Sequence, residues 1–204
     1  MDTKALERFA RTARRQLHEQ VGAKLERVLR TDSAELREQA AALEMLKEEI
    51  KEHSKSAVVE RVAYTWFNRF CALRFMDANR YTPIGVVSPA AGFTQPEIMQ
   101  EAKQGHIDDD LPVDRQRVAD LLGGRLPARD AQQEAYRLLL VASCNSLHAP
   151  MPYLFEPIAD YTELLLPDDL LSEASILHAV RETLTTDVCQ DEEVIGWLYQ
   201  FYIA

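Results

Sequence analysis

Leu6, Phe9, Ala13, Leu17 and Val21 recur every three or four positions near the start of the chain, the spacing that lines up one buried face of a helix. The pattern predicts a helix over residues 3–30. Lys4, Arg8, Arg11 and Arg15 keep the same period on its other side. At about 100° per residue these four cations fall within roughly 60° of one another. Asp32, with Glu35 following it, reads as an N-cap and its capping-box partner. The helix they open runs to residue 52, with Leu36, Leu43, Leu46 and Ile50 inward and Glu and Lys outward.

Residues 56–78 differ in kind. Val58, Val62, Tyr64, Trp66, Phe67, Phe70, Leu73, Phe75 and Met76 cover most of the helical circumference, and a helix apolar nearly all round is a buried one. It is the expected central helix. Its polar members Glu60, Asn68, Arg69 and Arg74 then need partners, because a buried charge without one is costly.

Pro83, Gly85, Pro89, Gly92 and Pro96 punctuate a loop. Short helices at 96–104 and 114–122 follow, separated by the acidic turn Asp108-Asp109-Asp110. A strong helix at 129–147 turns Tyr136, Leu139, Leu140 and Cys144 inward. Pro150, Pro152 and Pro157 mark an irregular crossing, and Asp168 after Pro167 is a helix start or turn. Two last helices are expected at 172–185 and 190–203. Strand character is confined to a weak signal at Ile84–Ser88. The expected fold is therefore all-α: a single domain over 1–204, an irregular multi-helix bundle around a buried central helix, with a Pro/Gly-rich loop region in the middle.

The chain ends in GWLYQFYIA, apolar to its last residue. Termini are usually polar and frayed, so the pattern leads us to expect a chain cut from a longer protein. At 204 residues with 47% apolar and 27% charged positions, the length and composition suit one hydrophobic core and exclude general disorder. No run approaches the ~20 apolar residues that span a bilayer, and the charged start MDTKALERFARTARR lacks the apolar core of a secretory signal. Three widely spaced cysteines, Cys71, Cys144 and Cys189, read as buried free thiols in a reducing, cytoplasmic setting.

Charge is unevenly placed. Residues 1–82 hold 16 Lys/Arg against 13 Asp/Glu, a net of +3, and residues 83–204 hold 7 against 20, a net of -13. Bulk charge does not favour nucleic acid, since phosphate contacts need clustered cations. The stripe Lys4, Arg8, Arg11, Arg15 is the local cluster that offers them.

Complete catalytic motifs are missing from the sequence. There is no G-x-G-x-x-G, P-loop, H-E-x-x-H or C-x-x-C, and no G-x-S-x-G elbow. Cys144 and His148 are spaced for one helix face, but two ligands do not make a metal site. His106 with Asp108, Asp109 and Asp110 lacks the ligand spacing of a calcium loop. Glu192-Glu193 is a favourable charge placement near a helix N-terminus. No catalytic, cofactor-binding or metal-ligating residue is assigned.

Four stretches go beyond generic helix: VAYTWFNRFCALRFMD (62–77), YTELLLPDDLL (161–171), EVIGWLYQFY (193–202) and, more weakly, LHEQVGAKLERVL (17–29). Together and in this order they resemble the N-terminal region of the PglX family, the adenine-specific DNA methyltransferases of BREX (bacteriophage exclusion) phage defence. Residues 83–130 carry little of the likeness. The resemblance implies a parent enzyme that moves a methyl group from S-adenosylmethionine to N6 of adenine in a site-specific manner, like restriction–modification methyltransferases, and flips the base to do so. Its methyltransferase core is expected downstream of Ala204. The look-alike Pro150-Met151-Pro152-Tyr153 lacks the leading Asn or Asp of the family's N-P-P-Y type motif and receives no role.

By analogy with related methyltransferases, the chain is expected to be a DNA-clamping and docking domain, non-catalytic by itself. Lys4, Arg8, Arg11 and Arg15 would meet double-stranded DNA. Trp197, Tyr199, Phe201 and Tyr202 would form an interdomain interface with the methyltransferase core, some of them facing this domain's own core. The alternative is a protein-interaction scaffold that holds that core or another BREX component without touching DNA. No membrane role is expected.

Overall fold

Helix α1 (Thr3–Arg30) starts where the Asp2 carboxylate accepts the N–H groups of Lys4 and Ala5 at 3.0 and 3.1 Å, satisfying two donors that a helix start leaves open. The computed structural model describes residues 2–152, 154–156 and 161–204, without the side chains of residues 34 and 35. Every apolar residue predicted to face inward from α1 is buried, and Ala10, Leu25 and Val28 extend the same stripe.

Beyond α1 the expected single helix is two. α2 (Ala34–Glu38) and α3 (Ala40–His53) break at Gln39, which has a non-helical backbone. The cap also moves by one residue: Ser33 accepts the N–H of Leu36, while Asp32 is drawn away by Arg37 at 2.8 Å through both carboxylate oxygens. A guanidinium gripping a carboxylate at two points outcompetes a backbone amide. The proposed partner of the cap, the Glu35 side chain, lies outside the described residues.

The predicted central helix is α4 (Lys55–Ala78). Trp66, Phe67 and Phe70 are fully buried, each worth about 1.5–3 kcal/mol of burial. Three of its polar members are partnered. Arg69, 4% exposed, donates to the Glu156 carbonyl at 2.8 Å and lies over the Trp66 ring. Arg74 donates to the Leu184 carbonyl and to the Ser88 hydroxyl, at 2.7 and 2.8 Å. Glu60 pairs with Arg14 of α1.

The remaining helices are α5 (Glu97–Lys103), α6 (Arg115–Leu122), α7 (Ala131–Ser146), α8 (Tyr161–Leu164), α9 (Ile176–Thr183) and α10 (Val194–Ile203), with a 3-10 turn at Val188–Gln190. Among the described residues there is no strand, and the fold is all-α. Asp168 begins no helix and sits in a turn. The short α8 is an element that the sequence pattern does not reveal. α1 packs on α4, α9 and α10, and α3 and α9 also flank α4. A satellite of α5, α6 and α7 closes the other end, with Tyr136, Leu139, Leu140 and Cys144 of α7 all buried.

Ile84–Ser88, the segment of weak strand character, is held by a side chain instead of a neighbouring strand. Asp77, at the end of α4, accepts the N–H groups of Val86, Val87 and Ser88 at 3.1, 2.9 and 2.9 Å, and the Thr82 hydroxyl at 2.9 Å. The Tyr136 hydroxyl donates to the Val86 carbonyl and Arg181 to the Val87 carbonyl. Gly85 fits here because a Cβ would lie 2.5 Å from the Ser88 carbonyl oxygen. Burial pushes the Asp77 carboxyl above the usual range, with its N–H donors pulling the other way.

Candidate nucleic-acid and interdomain surfaces

The four stretches that carry the family resemblance meet in space. Lys24 and Arg27 of α1 both pair with Asp168 of the 161–171 stretch. Trp66 of α4 donates its indole N–H to the Thr162 carbonyl at 3.0 Å. Arg14 donates to the Tyr202 carbonyl of α10 at 2.9 Å and pairs with Glu60 of α4 at 2.9 Å. Tyr202 stacks on Phe67, ring centroids 4.4 Å apart. These stretches therefore build the core that positions the surfaces on α1 and α10.

The predicted stripe on α1 is exposed along its length: Lys4, Arg8, Arg11 and Arg15 all face solvent. Arg11 pairs with Glu7 one turn earlier, at 2.7 Å. Lys4, Arg8 and Arg15 lie within ion-pair distance of no carboxylate among the described residues, whereas further along the helix Lys24, Arg27 and Arg30 are each engaged by Asp168 or Glu26. Along α1, the cations without a carboxylate partner among the described residues thus lie in its first half. Residues 4 to 15 span about 16 Å at 1.5 Å per residue.

Sequence periodicity misses a shallow groove beside this stripe, lined by Arg11, Arg14, Arg15, His18, Glu19 and Glu60. Arg14 lies off the stripe, and Glu60 reaches the groove from α4.

The aromatic set on α10 divides. Tyr202 is 1% exposed, a core residue set between Phe67 and Arg14, and so is unavailable to another domain. Burial and the nearby Glu60 carboxylate push its phenol upward. Tyr199 and Ile203 are 49% and 56% exposed. Trp197 and Phe201 are half-buried and stacked, 5.7 Å apart. With Val194, Leu198 and Tyr202 inward and Tyr199 and Ile203 outward, α10 is apolar on both faces.

Elsewhere the candidate chemistry is dispersed. Cys71, Cys144 and Cys189 are buried free thiols, and burial pushes Cys144 up to about 12 and raises the other two. His148 is hydrogen-bonded to the Phe155 carbonyl at 2.9 Å. In the acidic turn, Asp109 pairs with Arg115 and His106 with Glu101. Among the described residues no three His, Cys, Asp or Glu side chains gather to hold a metal ion, and no helix is long and apolar enough to cross a membrane. Tyr153 of the Pro150–Tyr153 look-alike lies outside the described residues.

No protein-family model matches the chain. It is 38% identical over 165 residues to the adenine-specific methyltransferase BrxX of Escherichia coli O9:H4 (strain HS), covering 79% of this chain and 13% of that protein. It is 33% identical over a 239-residue alignment to the adenine-specific methyltransferase PglX of Lacticaseibacillus casei (strain Zhang), covering 99% of this chain and 20% of that protein. The chain thus spans a fifth or less of the length of these curated relatives.

Proposed function

The chain belongs to the family of the PglX and BrxX adenine-specific methyltransferases, and from that premise we propose that it is a helical domain that helps a BREX methyltransferase hold its DNA. The observation that carries this reading is the half of α1 whose cations are open: Lys4, Arg8 and Arg15 have no carboxylate partner among the described residues, and Arg11 shares their face. Such a row suits the regularly spaced phosphates of a duplex and gives affinity without sequence readout. Cytoplasmic DNA is the expected substrate of the parent.

Methyl transfer belongs elsewhere in the parent chain. S-adenosylmethionine would be its methyl donor, but the residues here do not fit that cofactor. The described residues offer no glycine loop joining strand to helix, the usual nucleotide cradle. Their groove is walled by charged side chains rather than an apolar slot for adenine. No catalytic step is derived from this chain.

A second reading has its own support in α10. Tyr199 and Ile203 leave an apolar outer face on a helix whose inner face is already packed, and a helix apolar on both sides is ordinarily covered on both. The covering element would be the methyltransferase core of the same parent. Residues 83–204, at a net of -13, favour a basic protein partner over DNA and could meet another BREX component. Salt-dependent duplex binding tests the first reading. For the second, Tyr199→Asp in the full-length parent should loosen packing of the domain on the core, read as faster limited proteolysis between them; unchanged proteolysis would count against it.

A further inference from the structure

We propose that the groove between α1 and α4 is a seat for one DNA-backbone phosphate, and that Glu60 holds its place in the free protein. The proposal rests on the reading of α1 as a DNA-facing helix and adds a second contact beside the stripe. Arg11, Arg14, Arg15 and His18 line the groove from α1. Glu19 also lines it from α1, and Glu60 meets them from α4.

Arg14 is positioned in advance. One terminal nitrogen donates to the Tyr202 carbonyl at 2.9 Å, the other pairs with Glu60 at 2.9 Å, and the guanidinium carbon lies 5.6 Å from the centre of the Tyr202 ring. Three elements thus fix a cation that would otherwise sample many rotamers, and a pre-organised guanidinium loses little freedom when it meets an oxyanion. The Glu60 carboxylate also reaches His18, 3.9 Å away. A carboxylate bracketed by Arg14 and His18, beside the open Arg15, occupies the position a phosphate would take.

A bound phosphate would therefore compete with Glu60 for Arg14, and Glu60 would act as a built-in brake on DNA affinity. Glu60→Gln removes the competing charge and keeps an oxygen to accept from Arg14, so Arg14 becomes free to answer a phosphate.

The test is fluorescence anisotropy of a labelled duplex titrated with the 204-residue chain, from 50 to 200 mM salt. One added phosphate contact steepens the log–log salt slope by about 0.9, a further loss of roughly 3.5-fold in affinity over that range. Glu60→Gln is expected to bind more tightly at 50 mM salt and to show this steeper slope. Arg14→Gln in the Glu60→Gln background should return the slope to that of the unaltered protein. An unchanged slope in Glu60→Gln, with binding that still weakens in Arg8→Glu and Arg15→Glu, would overturn the groove proposal and leave the stripe standing. Absence of salt-sensitive binding by every variant would overturn both.

Discussion

Arg14 donates to the backbone carbonyl of Tyr202 at 2.9 Å, across 188 positions of sequence. The bond places a cation on the last turn of α10, where unsatisfied carbonyls and the helix dipole favour one. It also joins the two helices that carry the proposed surfaces, α1 and α10.

The division of aromatics on α10 predicts unequal costs. Tyr202→Ala empties a packed site against Phe67 and should destabilise by about 3–5 kcal/mol. Tyr199→Ala removes one exposed edge contact with Tyr64 and should cost about 1 kcal/mol. Urea unfolding at equilibrium measures both. The Tyr202 hydroxyl is buried without a hydrogen-bond partner among the described residues, so Tyr202→Phe should be as stable as the unaltered protein or more so.

Asp77 is expected to matter more than any surface charge. Asp77→Ala strips acceptors from three backbone N–H groups, and each one left buried and unpaired costs about 1–3 kcal/mol. Thermal unfolding should show a large fall in Tm. Gly85→Ala should lower it too, by forcing the Ser88 carbonyl away from the new Cβ.

The pH dependence follows from Asp168. Burial acts to raise its carboxyl, but Lys24 and Arg27 together outweigh that and hold it below the usual range. A depressed folded value means stability that is present above the unfolded value, about 3.9, and lost as pH falls through the folded one. Asp168→Asn should therefore be less stable than the unaltered protein at pH 6, with the gap closing as pH falls below about 4. Urea midpoints measured from pH 6 down to pH 3 check this.

The thiols should be inert. All three are buried and their ionisation is pushed upward, so little thiolate is present at neutral pH. A disulfide reagent should modify none in the native protein and all three once urea unfolds it.

The long helices were legible because their signals are local and repeated. Leu6 through Val21 keep one period, and the aromatic run of α4 admits no exposed face. What escaped the sequence depends on partners far away. Asp32 and Ser33 are both good caps, and Arg37 decides between them by taking Asp32. Val86 and Val87 favour a strand by residue type, yet their N–H groups go to Asp77. On α10, periodicity cannot choose the inner face of a helix apolar all round; Phe67 and Arg14 choose it by receiving Tyr202. The stripe was visible, but which of its cations are open was not, since Glu7 takes Arg11 while Asp168 and Glu26 take Lys24, Arg27 and Arg30 further along α1. The groove was invisible because its far wall, Glu60, lies on another helix.

The most direct test of the central claim is anisotropy of a labelled duplex with the unaltered chain and with Lys4, Arg8, Arg11 and Arg15 all replaced by Glu. Three to four phosphate contacts predict a log–log salt slope of about -2.7 to -3.6, abolished in the reversed variant while its circular dichroism stays helical. Equal binding by the two proteins, or none by either at 50 mM salt, would contradict a DNA-holding role for α1 and leave the α10 face as the domain's working surface.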